Sequence, residues 1–284
     1  MKAPTGYELG SAYAKDRTGV LYRAVQLKLD RPVTIKALRA DLEANERARE
    51  LFLEERDVVT GLEHRNLLLT IDVGEIEGRP YFITESTHEP TLAEALRAGE
   101  PLRELRTVNI ALGLARAIHY LDQRGLIYKN VRPHNILLPR PGAPKLVTFR
   151  YVRRIEEAKS FRGANVQSGA YCAPELVRED LGPVTIKANL YALGALLYQM
   201  LAGEPPVAGP SAEARAAHAA GKVPALKEKR PYVRQRAHTI VNRLLSHDPR
   251  RRPDPGSAVA LIEAYRNDPL LTRPLKPRRK RRRR

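Results

Sequence analysis

The first third of the chain alternates short apolar segments with Gly, Asp and Pro residues. β-Branched and aromatic side chains are frequent in five such segments, which is typical of strands: 7–14, 19–26, 32–38, 67–76 and 79–86. A longer segment, 41–64, is instead rich in Glu, Arg, Ala and Leu. Its candidate inward face at helical spacing consists of Leu51, Glu55, Val58 and Leu62. The pattern therefore predicts a small antiparallel sheet with one main helix.

From about residue 90 the apolar positions follow helical spacing. Five segments are predicted to be helices: 92–99, 105–125, 189–203, 237–246 and 257–266. Two short predicted strands, 135–138 and 143–149, flank the turn PRPG. Together the segments predict an α+β protein with a β-rich lobe at residues 1–86, a larger and mainly helical lobe at 87–268, and a disordered basic tail at 269–284.

Composition narrows the class of protein. The chain has 284 residues, of which 43% are apolar, and this is enough for one large or two modest cores. No segment approaches the ~18 continuous apolar residues of a membrane span, and the start MKAPTGYELG lacks an apolar signal core. We therefore expect no membrane span and a cytoplasmic location. The single cysteine, Cys172, excludes an intramolecular disulfide and a cysteine-based zinc cluster.

The net charge of +18 is concentrated at one end of the chain. Residues 273–284 carry nine positive charges and no negative charge, so the remaining residues carry +9. Such a run either serves solubility alone or binds a polyanion, such as nucleic acid or an anionic surface. No aromatic residue is interleaved with it, so nucleic-acid contacts would be made to phosphates, without sequence specificity. The residues expected to make them are Arg278, Arg279, Lys280, Arg281, Arg282, Arg283 and Arg284.

Several short motifs follow one another in an order that is informative. They are PVTIK (32–36), EHRN (63–66), YKNVRPHN (128–135), KLVTFR (145–150), CAPE (172–175), ANLYALG (188–194) and DPRRRP (248–253). In this order they resemble the motifs of the bacterial eukaryotic-like serine/threonine protein kinases, over residues 7–266. The resemblance implies a two-lobed kinase-like fold.

The resemblance also assigns roles to individual residues. Lys36 takes the place of the lysine that pairs with nucleotide phosphates, and Glu55 that of its ion-pair partner on the helix. Gly19 is the last glycine of the phosphate loop, and Asn135 takes the place of a metal ligand. Outside this family context, Lys36 and Glu55 would ordinarily be a solvated pair, but within it we expect them to be a structural remnant that holds helix and sheet together. We expect Asn135 to brace the loop with hydrogen bonds and not to bind a metal. All four residues are therefore treated as vestigial.

The positions that carry the chemistry depart from the family pattern. Asn130 stands at the catalytic base and offers no carboxylate to accept a proton. Arg132 replaces the lysine of the same loop and keeps its charge. Thr148 replaces a metal-binding aspartate, and a neutral hydroxyl is a poor ligand for magnesium.

The nucleotide-covering loop departs as well. Ala14 and Asp16 replace two of its three glycines, and Asp16 would place negative charge near the phosphates. Thr34 stands where the family has a small alanine beside the adenine. Nucleotide binding is therefore expected to be absent, or weak and independent of magnesium, with no other cofactor.

Residues expected to support the fold are kept. Phe149 is present, Tyr128 replaces the loop histidine with another ring, and Glu175 and Arg252 match a family ion pair. From this contrast we predict a pseudokinase, which is not an enzyme and acts as a scaffold or allosteric regulator of a partner protein, for example an active kinase. One alternative is a weak or atypical phosphotransferase that uses Lys36, Arg132 and Asn135. A second is a polyanion-binding protein in which the kinase-like body carries the tail.

Overall fold

The computed structural model describes residues 1–128, 130–140, 143–157 and 169–272. Its first part contains the strands β1 (Tyr7–Lys15), β2 (Gly19–Gln26), β3 (Arg31–Leu38), β4 (Thr70–Ile76) and β5 (Arg79–Glu85). They form one sheet in the order β1-β2-β3-β5-β4, in which all neighbouring strands are antiparallel. Helix α1 (Glu46–Thr60) contacts β4 and β5.

Strand β3 shows how the sheet separates its two faces. Val33, Ile35 and Ala37 are buried in an apolar cluster that also contains Tyr7 and Ile83. Because side chains alternate along a strand, Thr34 and Lys36 fall on the opposite face. On the side toward α1, the sheet therefore carries these two polar residues beside Leu38 and Phe82, which pack in the same core cluster as Phe52 of α1.

Helix α1 begins later than the sequence pattern predicted. Asn45 caps it by accepting a hydrogen bond from the Ala48 amide, which fixes the start at Glu46. The buried face consists of Ala48, Phe52, Glu55 and Val59. The predicted face was therefore rotated, since Leu51 and Val58 are only half-buried, while Glu55 and the following Leu62 are buried as expected.

The remaining elements build the helical part. The helices are α2 (Leu92–Ala95), α3 (Glu104–Asp122), α4 (Lys187–Ala202), α5 (Ser211–Ala219), α6 (Leu226–Lys229), α7 (Gln235–Leu244) and α8 (Pro255–Arg266). The short strands are β6 (Leu126–Tyr128), β7 (Ile136–Arg140), β8 (Ala143–Leu146) and β9 (Val152–Arg154). They pair as β6 with β9 and β7 with β8. Helices α3 and α4 are apolar along most of their length and form the centre of the large core.

This architecture confirms the predicted α+β fold with an antiparallel sheet, one main helix beside it and a larger helical lobe. Within the described residues, no helix combines the length and the apolar content that crossing a bilayer requires. Of the predicted tail at 269–284, Pro269–Thr272 form a short 3-10 helix whose Leu271 is buried in the large core. Residues from Arg273 onward lie outside the described residues.

Candidate functional site

An ion pair between the sheet and helix α1 lies at the centre of the site. Lys36 Nζ on β3 is 2.6 Å from Glu55 Oε2 on α1, and both residues are buried. The Phe52 and Phe82 rings lie under the ammonium, with centroids 5.8 and 5.5 Å from Nζ. Burial acts to lower the pKa of Lys36, but Glu55 and then Asp16 outweigh it, so the pKa is raised. Lys36 is therefore a cation at neutral pH despite its burial.

Asp16 is the second acidic partner of Lys36. Its Oδ2 lies 2.8 Å from Lys36 Nζ, while its Oδ1 accepts hydrogen bonds from the amides of Thr18 (3.0 Å) and Gly19 (2.7 Å). The Asp16 amide in turn donates to the Gly19 carbonyl oxygen at 2.8 Å. One carboxylate thus closes the turn between β1 and β2 and contacts the lysine below it. The sequence predicted negative charge near this lysine, but it did not predict a direct ion pair.

The close approach of the Lys36 side chain explains the glycine at position 19. A Cβ at this position would lie 2.5 Å from Cε and 3.0 Å from Cγ of Lys36, and 3.3 Å from the Ala37 carbonyl oxygen. The tip of the β1–β2 hairpin therefore rests directly on the aliphatic part of Lys36. In this structure, the predicted phosphate-loop glycine provides space for that lysine.

A group of hydroxyls lies where the family resemblance places the adenine. The Thr34 hydroxyl lies 3.0 Å from the Thr87 hydroxyl and accepts a hydrogen bond from the Thr87 amide at 3.3 Å. Tyr13, near the end of β1, shares hydrogen bonds with both hydroxyls. Its ring also contacts His88, with a centroid distance of 4.6 Å. The hairpin is thereby tied, near the end of β1, to the segment that follows β5.

The loop after β6 is held by amide side chains. Asn189 on α4 accepts a hydrogen bond from the Tyr128 amide at 3.1 Å and donates to the Tyr128 carbonyl oxygen. The Asn135 side chain donates to the Asn130 carbonyl oxygen at 2.9 Å, and the Asn135 carbonyl oxygen accepts from the Val147 amide at 3.0 Å. Asn135 thus joins both ends of the loop to the segment that carries Thr148.

Two loop residues keep hydrogen-bonding capacity. Asn130 is buried, and its Nδ2 has no hydrogen-bond partner among the described residues. The same holds within the described residues for Nε of Arg132, which is half-buried. The loop therefore presents donors but no carboxylate at the position of the catalytic base.

Thr148 has an unusual backbone conformation. Its φ and ψ are 67° and 60°, the left-handed region, which is uncommon for any residue with a Cβ and rare for a β-branched one. The following Phe149 is 2% exposed and belongs to the large core, as does Tyr128. The Tyr128 hydroxyl donates to the Val147 carbonyl oxygen, and its ring meets Tyr151 edge-on at 6.5 Å. Core packing on both sides therefore holds Thr148 in this conformation.

The residues at the predicted metal positions do not fit a magnesium ion well. Asn135 could offer one amide oxygen and Thr148 one hydroxyl, whereas magnesium favours carboxylate and other hard oxygen ligands. Across the described ranges, His, Cys, Asp and Glu nowhere form a group of three or more that could hold a metal ion. We therefore derive no step of the chemistry through a protein-bound metal.

Glu175 and Arg252 meet deep in the helical lobe. Two guanidinium nitrogens donate to the two carboxylate oxygens at 2.6 and 2.8 Å, and both side chains are fully buried. The remaining donors of Arg252 reach the carbonyl oxygens of Ser246, Lys187 and His247. This pair holds the segment 172–176 against the helical lobe.

Two supporting residues were missed from the sequence. One is Asn189, which hydrogen-bonds both backbone groups of Tyr128. This contact is tertiary, because it joins α4 to β6. The other is His218 on α5, which is fully buried and bonds Tyr191 through Nδ1 (2.7 Å) and the Ala170 carbonyl oxygen through Nε2 (3.0 Å). Burial lowers the pKa of His218 to about 4, so the ring is neutral at pH 7. Cys172, beside this contact, is buried, and burial raises the pKa of its thiol to about 12.

Comparison with known proteins places this arrangement among protein kinases. A family profile described as "Protein kinase domain" matches residues 14–262. The chain is 30% identical over 231 residues to the serine/threonine-protein kinase PrkC of Bacillus subtilis, covering 81% of this chain and 35% of the relative. It is 29% identical over 211 residues to the serine/threonine-protein kinase PknB of Mycobacterium leprae, covering 72% and 34%. A probable serine/threonine-protein kinase of Streptomyces coelicolor is 29% identical over 212 residues, covering 72% and 31%. The chain thus spans about a third of the length of these curated relatives.

These matches confirm the family resemblance drawn from the motifs, and they overturn one prediction. The prediction that the chain is not an enzyme is wrong, because the protein kinase domain covers most of the chain and the relatives are named as serine/threonine kinases. The physical reason for the error is that replaced residues at Asn130 and Thr148 were equated with loss of all activity. Removing one catalytic group lowers a rate by a finite factor and leaves the remaining positioning groups in place.

Proposed function

Because the chain belongs to the protein kinase domain family, we propose that it is an ATP-dependent serine/threonine phosphotransferase with an atypical site. The observation that carries this proposal is the buried Lys36–Glu55 ion pair, with 2.6 Å between Nζ and Oε2. Phosphoryl transfer depends mainly on positioning and on stabilisation of charge, and this ion pair is one of the parts that a protein kinase must have in place.

The proposed roles follow from charge and position. Lys36 binds a nucleotide phosphate, and Arg132 supplies positive charge at the loop next to the transferred group. Asn135 orients the loop, and Asn130 hydrogen-bonds the substrate hydroxyl without accepting its proton. The proton must then leave to solvent or to the phosphate itself. Since a positioned general base contributes about 10²- to 10⁴-fold, we expect the turnover to be lower by about this factor than with an aspartate at the position of Asn130.

We propose that ATP binds weakly and that magnesium strengthens the binding little. Asp16 already occupies Lys36, and the predicted metal positions hold no carboxylate. Thermal melts with ATP, with and without magnesium, test this point, because a ligand at 100 times its Kd stabilises by about 2.7 kcal/mol. A magnesium-dependent rise in Tm far above that with ATP alone would contradict it.

The direct test is transfer of the γ-phosphate from labelled ATP to the protein itself and to basic protein substrates. We expect slow incorporation that is lost in Lys36→Ala and kept in Lys229→Ala. Lys229 is a suitable control because it is an exposed lysine paired with Glu204 at 2.8 Å, on α6. Incorporation that is equal in wild type and Lys36→Ala, or absent at high enzyme concentration, would overturn the proposal.

Three narrower expectations remain predictions. They are the scaffold or regulator role toward a partner protein such as an active kinase, the polyanion contact of the tail, and the cytoplasmic location. A protein with one buried cysteine is compatible with a reducing compartment. The activity and partners of the whole relatives are not transferred, because this chain matches only about a third of their length.

A further inference from the structure

We propose that the β1–β2 hairpin is an internal occupant of the nucleotide cleft. Asp16 takes the position of a nucleotide phosphate, and Tyr13 closes the adenine side. This inference rests on the proposed function, since it describes how ATP reaches the same site. It makes Asp16 a residue that determines ligand specificity, because the closed cleft disfavours phosphate groups.

The Asp16 carboxylate matches a bound phosphate in its partners. Phosphate sites in proteins combine backbone amides of a turn with a lysine ammonium. Here two backbone amides, of Thr18 and Gly19, donate to Oδ1 at 3.0 and 2.7 Å, and Lys36 Nζ lies 2.8 Å from Oδ2. These three donors thus already contact one side chain, that of Asp16.

The hairpin is seated on the lysine. Its tip leaves no room for a Cβ at Gly19, whose ideal Cβ would lie 2.5 Å from Lys36 Cε. The Arg39 amide also donates to the Thr18 carbonyl oxygen at 2.9 Å, which ties the turn to the end of β3. Consequently, a phosphate cannot reach Lys36 Nζ past the β1–β2 turn unless the tip of the hairpin moves.

A second set of contacts holds the hairpin at Tyr13 on β1, three residues before Asp16. Tyr13 hydrogen-bonds the hydroxyls of Thr34 and Thr87, and the Thr87 amide donates to the Thr34 hydroxyl. These groups lie on β1, β3 and the segment after β5, so they hold the hairpin and the sheet to the start of the helical lobe. Opening for a nucleotide must therefore break polar contacts at two places, one at Asp16 and one at Tyr13.

The charge of the cluster also opposes a phosphate. Lys36 is flanked by two carboxylates, Glu55 and Asp16, so the formal charge of the three side chains is −1. Removing the charge of Asp16 leaves a neutral pair that a phosphate can approach. A ligand's apparent affinity is proportional to the fraction of protein in the open state, and this factor is common to ATP and adenosine. The charge of Asp16 repels phosphate groups alone, so it lowers the affinity for ATP more than that for an uncharged nucleoside.

The test is a titration of ATP, and separately of adenosine, by calorimetry. Asp16→Asn keeps an oxygen for the amides of Thr18 and Gly19 and removes the charge, whereas Asp16→Gly removes both. Asp180→Asn is the matched control, because Asp180 is an exposed acid paired with Arg178 in the helical part of the chain. Like-charge repulsion in a partly buried site predicts an increase in ATP affinity of about tenfold or more for both Asp16 variants. We expect a change of less than about twofold for adenosine with Asp16→Asn, and none for the control.

Tyr13→Phe tests the contacts of Tyr13 separately from those of Asp16. It removes the shared hydroxyl and keeps the ring, so we expect it to improve ATP and adenosine binding by similar factors and to add to the effect of Asp16→Asn. ATP affinity that is unchanged in folded Asp16→Asn and Asp16→Gly overturns the proposal. Equal gains for ATP and adenosine in Asp16→Asn also overturn it, because the carboxylate would then act sterically and not as a phosphate surrogate.

Failure of this inference can be distinguished from failure of the proposed function. Tighter ATP binding in Asp16→Asn without any transfer of the γ-phosphate supports the internal occupant and refutes phosphotransfer. Transfer by the wild type with no gain in ATP affinity in the Asp16 variants supports phosphotransfer and refutes the internal occupant.

Discussion

The carboxylate of Glu175 and the guanidinium of Arg252 face each other through two hydrogen bonds of 2.6 and 2.8 Å, and neither side chain has exposed surface. The Tyr191 ring lies beside the guanidinium, with its centroid 4.7 Å from Cζ. Such a pair costs much desolvation to form, and its geometry leaves every oxygen and most donors satisfied. Its contribution is therefore measured best by what happens when one partner is removed.

Glu175→Ala or Arg252→Ala should each lower the free energy of unfolding by about 3–5 kcal/mol, because the remaining charge is left buried without a partner. Urea unfolding followed by circular dichroism measures this loss. The exposed pair of Arg250 and Asp248 provides the control, and Arg250→Ala should leave the midpoint nearly unchanged. Unchanged midpoints in both Glu175 and Arg252 variants would mean that the pair contributes nothing to the fold.

Thr148→Asn should stabilise the protein. The left-handed conformation of a residue with a Cβ costs about 1–3 kcal/mol, and asparagine tolerates it better than a β-branched residue. We expect a gain of about 1 kcal/mol in the free energy of unfolding. Thr60→Asn, at the end of helix α1, should give no gain because Thr60 has helical backbone angles. A loss of stability in Thr148→Asn would show that the threonine side chain makes compensating contacts.

Stability should fall in mild acid through His218. Its pKa in the folded protein is about 4, well below the ordinary value of about 6.5. Between these values the unfolded chain binds a proton at this residue that the folded chain does not. Stability contributed by neutral His218 is therefore present above about pH 6.5 and is lost as the pH falls toward 4, at up to about 1.4 kcal/mol per pH unit.

Denaturant unfolding at pH 7 and pH 5 tests this linkage. The difference between the two pH values should shrink in His218→Gln, which cannot bind the proton in either state. The control His134→Gln changes an exposed histidine and should keep the wild-type difference. A wild-type difference that persists undiminished in His218→Gln would assign the acid sensitivity to other groups.

Restoring the catalytic residues should leave ATP binding weak while the hairpin stays closed. We expect the double variant Asn130→Asp with Thr148→Asp to raise the rate at saturating ATP by about the 10²- to 10⁴-fold that a general base contributes, and to keep the high KM for ATP of the wild type. Adding Asp16→Gly should then lower that KM by about tenfold, the gain in ATP affinity expected from removing the carboxylate. Initial rates over a range of ATP concentrations measure the three proteins. A low KM for ATP in the double variant alone would show that Asp16 does not limit access.

Residues 273–284 should give the protein salt-sensitive affinity for polyanions. With nine positive charges, each phosphate contact contributes about −0.9 to the slope of log affinity against log salt on duplex DNA. Fluorescence anisotropy with a labelled duplex at several salt concentrations measures the slope. A truncation after Thr272 should lose this binding and keep the Tm of the body. If the truncated chain binds equally well, the +9 of the body is the binding surface.

Local patterns predicted the sheet and the long helices because their burial signals are strong. Burial extends along most of β3, β5, α3 and α4. By contrast, β6 and β9 have three residues each and exist only because they pair across the chain, with Leu126 opposite Arg154. Helix α5 was also missed, since its sequence SAEARAAHA shows few large apolar residues.

The sequence predicted which residues form the site better than it predicted their contacts. Ordered motifs identified Lys36, Glu55, Glu175 and Arg252, and the structure brings each pair into contact. The sequence pattern did not predict that Asp16 binds Lys36, because a carboxylate in a turn is usually a capping residue. Its second contact, with Lys36, depends on how the hairpin packs on β3. The contacts of Tyr13, Thr34 and Thr87 are likewise tertiary, since they join residues more than twenty positions apart.

Gly19 has a consequence for how such chains are classified. Its missing Cβ accommodates Lys36, so selection to keep the lysine–glutamate pair would by itself keep this glycine, whether or not a nucleotide ever enters. A glycine at the end of a degenerate phosphate loop is therefore weak evidence that the protein binds a nucleotide. Lys36 places no such steric demand on Ala14 and Asp16, the other two glycine positions of this loop. The residues at these two positions are therefore better evidence of whether the cleft binds a nucleotide.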